Sequence, residues 1–186
     1  MFEGRLPPGQ RWIERLVVYD IGPVPPVDLG SFRLRLFGEV ENPLGLSWRD
    51  ILALPKAAVT RDFHCVTTWS VKGLSWQGVA GRTIVELVRP KPAVTWVMAR
   101  GRDGYSTNVP YGDLLREGSL LAYRLNGAPI PAENGYPLRL VVPSLYAWKS
   151  AKYLEGLEFL APLRRGYWEA RGYHDRGDPW REERWA

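Results

Sequence analysis

The chain has 186 residues, 45% hydrophobic and 24% charged, a balance that suits one globular domain and argues against a disordered segment. Its formal charge is +5, carried by 20 Arg and 5 Lys against 20 acidic residues, which leaves both an anionic ligand and a solvated basic surface open. One cysteine excludes an internal disulfide, a four-cysteine iron–sulfur site and a multi-cysteine zinc site.

No apolar run approaches bilayer-spanning length. The start, Met1 to Pro8, carries neither a hydrophobic signal core nor a twin-arginine signal, so the expected location is the cytoplasm. Residues 1–30 read as an extended arm packed on the domain, ending in the Pro-rich stretch 22–30. Residues 31–186 read as the domain itself, with an irregular wrap over 166–186.

Ser31 to Val40 alternates as a half-buried strand, with Phe32, Leu34 and Leu36 on one face and Arg33 and Arg35 on the other. Ser47 with Asp50 three residues on predicts a helix through Leu52 that stops before Pro55. Val59 to Val66 reads as a strand carrying Cys65. Thr83 with Glu86 predicts a capping box opening a second helix. Ala93 to Arg100 reads as a buried strand closed by an Asp103-Gly104 turn, and Tyr111 to Arg116 as a short helix. Leu120 to Leu125 and Leu138 to Val142 are two more strands, with turn signals at Asn126-Gly127 and Asn134-Gly135. Strands and helices do not alternate regularly, which predicts an α+β fold with a mixed sheet.

Cys65 sits in DFHCVTTWS (62–70). A lone cysteine can be an apolar filler, a nucleophile, or the one thiolate that a cofactor-bound metal takes from its protein. On a strand, His64 and Cys65 point to opposite faces, which argues against a cysteine–histidine hydrolase. The other histidine, His174, lies in the tail, and folding could bring it close. A second informative stretch is ENGYPLRLVVP (133–143), followed by Trp148-Lys149-Ser150-Ala151-Lys152. A strand running into a turn with a hydroxyl and two ammonium groups makes an anion pocket, although not a Walker loop. Arg139 can grip a phosphate or a polar heterocycle with two hydrogen bonds.

Together with WQGV (76–79), RDGYS (102–106), WKSAKYLEGLEF (148–159) and GYWEARGYHDRGDPWREER (166–184), these segments resemble the molybdopterin-binding catalytic domain of the sulfite oxidase family. The likeness is to its small bacterial members, related to the catalytic subunit of the periplasmic methionine sulfoxide reductase. It implies a sulfite-oxidase-like fold and a molybdenum–molybdopterin cofactor with Cys65 as the protein ligand to the metal and the catalytic residue. Asn134 and Arg139 match pterin contacts, and Ser150, Ala151 and Lys152 match the loop around its terminal phosphate. Lys149 and His64 adjoin these as further cofactor contacts. The family often has glycine where Ala147 stands.

The resemblance further implies two-electron oxygen-atom transfer on a small molecule such as sulfite or a sulfoxide. A separate electron partner follows: a cytochrome, a flavoprotein or a quinone-linked protein. Tyr105, Tyr167, Trp168 and His174 are candidates for the pocket rim, and Arg100 and Arg102 for drawing in an anion. Arg5 and Leu6 to Gln10 are candidates for N-terminal pterin contacts. Two other readings compete: a polyanion- or nucleic-acid-binding module, and a member of the family that holds no metal.

Overall fold

The computed structural model describes residues 5–186, so the first four residues of the expected arm lie outside the described residues. In chain order the strands are β1 (Arg11–Ile13), β2 (Arg33–Gly38), β3 (Leu44–Ser47), β4 (Lys56–His64), β5 (Trp69–Ala80), β6 (Trp96–Gly101), β7 (Ser106–Pro110), β8 (Leu120–Leu125), β9 (Ala128–Pro129), β10 (Arg139–Val141) and β11 (Leu154–Leu160). Three short helices intervene: α1 (Trp48–Ala53), α2 (Gly81–Val88) and α3 (Tyr111–Leu114). The strands form two sheets. One runs β3-β2-β11-β6-β7. The other runs β1-β5-β8-β10, with β4 also on β5 and β9 also on β8. Parallel pairs (β1 with β5, β2 with β11) sit among antiparallel ones, so the architecture is α+β with mixed sheets.

The local chemistry explains much of this. In β2, Leu34 and Leu36 are fully buried while Arg33 and Arg35 are exposed, the alternation of a strand with one face on a core. Helix α1 opens on a complete capping box: the Asp50 N–H donates to the Ser47 hydroxyl at 3.2 Å, and the Ser47 N–H to the Asp50 carboxylate at 2.8 Å. Helix α2 departs from expectation. It begins at Gly81, two residues before Thr83, and has no side-chain cap. Packing sets its start: the Gly81 N–H donates to Ser119 O at 2.9 Å, and a Cβ at Gly81 would lie 2.3 Å from Leu114 O.

The two faces of the second sheet are both buried. Leu121 and Leu140 face the large core shared with Leu34, Leu36, Val97, Leu157 and Phe159 of the first sheet. Their neighbours Leu120, Ala122 and Val141 face a smaller cluster with Phe63, Cys65, Trp69, Val71 and Trp76. Cys65 therefore lies on the side of this sheet away from the large core. The expected strand through Val66 stops at His64 instead. Cys65 opens a turn in which the Thr68 N–H donates to Cys65 O at 3.1 Å and the Cys65 N–H to Trp69 O at 2.9 Å, with Thr68 at φ 75°.

The long strand β5 hugs β8 so closely that Gly78, at an irregularity in their pairing, has no room for a side chain. A Cβ there would lie 2.0 Å from Leu121 O and 2.7 Å from Ala122 Cα, both backbone atoms. Gly78→Ala is expected to lower stability by about 1–3 kcal/mol through overpacking, read by urea denaturation.

Candidate active site

A cavity of about 290 Å³ opens on the Cys65 side of the second sheet. Segments distant in sequence line it, among them Leu16 to Ile21 of the arm, the turn Cys65 to Thr67, Asp103 and Tyr105, a group comprising Asn134, Arg139, Ser150 and Lys152, and Trp168 and Tyr173 of the tail.

The Cys65 side chain is 6% exposed, and its Sγ lies 3.2 Å from the Thr67 hydroxyl. Burial pushes its thiol up, against smaller lowering effects from Thr67 and from the Arg184 charge. No imidazole activates it. His64 turns its Nδ1 to the Ser70 hydroxyl at 2.7 Å, and burial pushes its own pKa down. His174 Nδ1 accepts from the Arg176 and Gly177 amides, each at 3.1 Å. A raised thiol without a base is a poor nucleophile, and a bound metal would have to hold it as the thiolate.

Arg139 organises the opposing wall. Its guanidinium donates to Asn134 O and to Ser150 O, each at 2.9 Å, and lies over the rings of Trp76 (5.2 Å) and Phe63 (5.5 Å). Burial pulls it down to about 10, and it stays cationic at neutral pH. The Ser150 hydroxyl accepts the Val142 N–H at 3.0 Å. Lys152 pairs with the Asp20 carboxylate of the arm and donates to Glu133 O at 3.0 Å. Gly135, at φ +112°, lets these come together, since a Cβ there would press at 3.1 Å on the Cβ atoms of both Arg139 and Lys152.

The fold thus brings Cys65, Asn134, Arg139, Ser150 and Lys152 to one cavity and leaves three expected contacts behind its wall. His64 is turned to Ser70. Ala151 is buried in the large core, its carbonyl accepting the Leu140 N–H at 2.8 Å. Lys149 is fully buried, its ammonium held by Glu169 (2.6 Å), Asp175 O (2.7 Å) and Asn108 O (2.8 Å). Burial lowers Lys149 to about 8 against the raising influence of Glu169, and three oxygens at such distances suit the charged form. Among the rim candidates, Tyr105 and Trp168 line the cavity, whereas Tyr167 and His174 do not. Arg100 is held by Glu158 at 2.6 Å, and Arg102 donates to the Pro25 and Pro26 carbonyls of the arm.

Sequence reasoning missed the arm residues Leu16 to Ile21 and Tyr173. The arm carried a signal in its run of apolar residues, and Val17, Val18 and Tyr19 remain 40–56% exposed. Tyr173 lies one position before the histidine that was singled out. Its pKa is raised by burial first and then by the neighbouring Cys65 and Tyr19.

Molybdopterin is a flat heterocycle with a metal-chelating dithiolene and a terminal phosphate. The cavity offers a single soft thiol, aromatic and apolar walls, and two cations, Arg139 and Lys152, the latter paired with Asp20, with Asp103 also on the lining. Among the described residues no group of three or more His, Cys, Asp or Glu is placed to hold a metal ion. A metal at Cys65 would therefore draw its other ligands from a cofactor. The residues present fit the group.

The model of the oxidoreductase molybdopterin binding domain family matches residues 21–168. The uncharacterized oxidoreductase YuiH of Bacillus subtilis (strain 168) is 43% identical over 98% of this chain and 93% of its own length. The protein-methionine-sulfoxide reductase catalytic subunit MsrP of Campylobacter jejuni is 30% identical over 75% of this chain, and sulfite oxidase of Arabidopsis thaliana 29% over 82%. The chain spans only 52% and 48% of the lengths of those two. Sulfane dehydrogenase SoxCD from Paracoccus pantotrophus shares the fold, with a TM-score of 0.66 at 23% identity over 75% of this chain and 40% of that one. No helix among the described residues is long and apolar enough to cross a membrane. The match of this family over most of the chain's length, with one thiol and the side chains of Arg139 and Lys152 in a single cavity, makes the protein a member of the sulfite-oxidase-like oxidoreductase molybdopterin-binding domain family and a molybdopterin-dependent oxidoreductase.

Proposed function

We propose that this chain transfers oxygen atoms to or from an uncharged sulfur substrate, a sulfoxide or thioether, in preference to sulfite. One observation carries the choice of substrate: the Cys65 side of the cavity is walled by Tyr19, Val66, Thr67, Trp69, Trp168 and Tyr173, none of them charged. The cavity's cations are engaged elsewhere. Arg139 holds Asn134 and Ser150, and Lys152 is paired with Asp20. Arg100 and Arg102, expected to draw in an anion, are held by Glu158 and by the arm. A sulfite dianion would meet no charged side chain on that wall and the carboxylates Asp20 and Asp103 elsewhere on the lining, which is costly in an apolar setting.

When bound, the cofactor supplies the two-electron redox centre and the oxygen-accepting metal. Cys65 supplies a thiolate ligand. Arg139 and Lys152 would place positive charge toward the pterin and its phosphate, Lys152 exchanging its partner Asp20 for the phosphate, and Asn134 and Ser150 would offer hydrogen-bonding groups. The raised phenol of Tyr173 stays protonated at neutral pH and can donate a hydrogen bond to a substrate oxygen beside Cys65. Sulfoxide reduction consumes two electrons and two protons and releases the thioether and water. A separate cytochrome, flavoprotein or quinone-linked protein exchanges those electrons.

The test uses protein made in a host that synthesises molybdopterin, with molybdenum and pterin measured per chain. Methionine sulfoxide reduction with a reduced viologen is then compared with sulfite oxidation by ferricyanide. The sulfoxide kcat/KM is expected to exceed that for sulfite by about 100-fold and to be insensitive to salt. Faster turnover of sulfite, with strong salt dependence, would reverse the substrate assignment. Well-folded protein with neither metal nor pterin would return the metal-free reading.

A further inference from the structure

The turn that presents Cys65 is held by both ends of the chain. From the N-terminal side, the Gln10 amide donates to Cys65 O at 3.0 Å while its own oxygen accepts the Ser70 hydroxyl at 3.0 Å. The Arg11 N–H donates to Thr68 O at 2.9 Å. From the other side, the Arg184 guanidinium donates through Nη1 to Val66 O and through Nη2 to Pro8 O, the latter at 3.3 Å. It lies 5.2 Å over the Tyr146 ring with its side chain 15% exposed. Beyond the turn's own bonds, each of the carbonyls of residues 65, 66 and 68 is thus capped by a donor more than 50 residues away in sequence.

We propose that Arg184 is a positioning residue for catalysis: with Gln10 it clamps the Cys65 turn so that Sγ is presented into the cavity at a fixed angle. The inference rests on Cys65 being the metal ligand. It goes further by assigning a role to a residue outside the family match at 21–168. The physical case is geometric. A four-residue turn with one residue at positive φ has little rigidity of its own. Its side chains point reproducibly only if its carbonyls are fixed, and the planar guanidinium can bridge two carbonyls from different segments at once. Groups that orient a metal ligand typically change activity by 10- to 100-fold when removed.

The experiment compares Arg184→Met, Arg184→Lys and Gln10→Glu in the full chain. Gln10→Glu keeps the shape but, when ionised, cannot donate to Cys65 O. In metal-free protein, hydrogen exchange of the peptide covering 65–70 is expected to quicken roughly 10-fold in Arg184→Met, with the large core unchanged. In loaded protein, kcat is expected to fall about 10- to 100-fold while KM and pterin content stay within about twofold, because the Arg139 and Lys152 side is untouched. The metal–sulfur shell in X-ray absorption should broaden. Arg184→Lys, which keeps the charge and loses the planar bridge, should recover only part of kcat.

Wild-type exchange at 65–70 together with wild-type kcat in Arg184→Met overturns the proposal. So does a loss confined to melting temperature, which a tail merely docked for stability would give. If Arg184→Met fails to fold, Gln10→Glu and Arg184→Lys decide by the same two readings. A Cys65→Ser control separates the premises: undiminished activity there removes Cys65 as ligand, while the exchange result still reports whether the clamp holds the turn.

Discussion

Cys65→Ser is expected to lower molybdenum-dependent turnover by more than about 100-fold, since even the partners of metal ligands are worth 10- to 100-fold. The substitution is nearly isosteric and keeps a group able to bond the Thr67 hydroxyl at the same place. The fold should survive, because the turn is held through the backbone of residues 65–68. What changes is the donor. A thiolate is soft and matches a metal already held by sulfur, and the metal keeps it deprotonated. An alkoxide is hard and far more basic. Pterin content should stay within about twofold of wild type, because Arg139 and Lys152 belong to a different segment. Turnover, molybdenum by elemental analysis and pterin fluorescence after oxidation give three independent readings. Full turnover in the serine variant would show that Cys65 is not the ligand.

Local chemistry made part of this site legible. The Ser47–Asp50 capping box, the alternation of β2, and the strand-to-turn passage from Arg139 to Lys152 each follow from neighbours within a few residues. What stayed hidden depends on contacts distant along the chain. Lys149 and Lys152 are three residues apart and equally basic on paper. One goes to the cavity and the other into the core, because Glu169, twenty residues on, lies behind the turn. The end of β4 was placed too far along because Val66 is as strand-prone as its predecessors. The chain turns at Cys65 because Gln10 and Arg184 hold the turn carbonyls from 55 and 118 residues away. Strand β5 is not legible in the sequence because Gly73 and Gly78 interrupt its apolar pattern, and both glycines answer to tertiary demands: a positive φ at one, the approach of β8 at the other.

The buried Lys149–Glu169 pair predicts a large stability change. Both side chains are fully buried, 2.6 Å apart, and Glu169 Oε1 also accepts the Thr107 hydroxyl and the Trp148 indole N–H. Oε2 has no partner among the described residues. Removing one charge leaves the other in the interior without its counter-ion. Lys149→Met is therefore expected to cost about 3–5 kcal/mol in urea denaturation, and Glu169→Leu a similar amount. The double variant should cost less than the sum of the two by a coupling of at least about 2 kcal/mol, because an apolar pair of similar volume removes both desolvation costs at once. The pair also joins the turn at 147–149, next to Ser150 and Lys152, to the tail that carries Trp168 and Tyr173. Each single variant should then lose pterin content along with stability, and the double variant should recover both. Additive single effects would mean that the two groups do not act as a pair. Recovery of stability without recovery of pterin would separate the ion pair's hold on the tail from its hold on the cofactor loop.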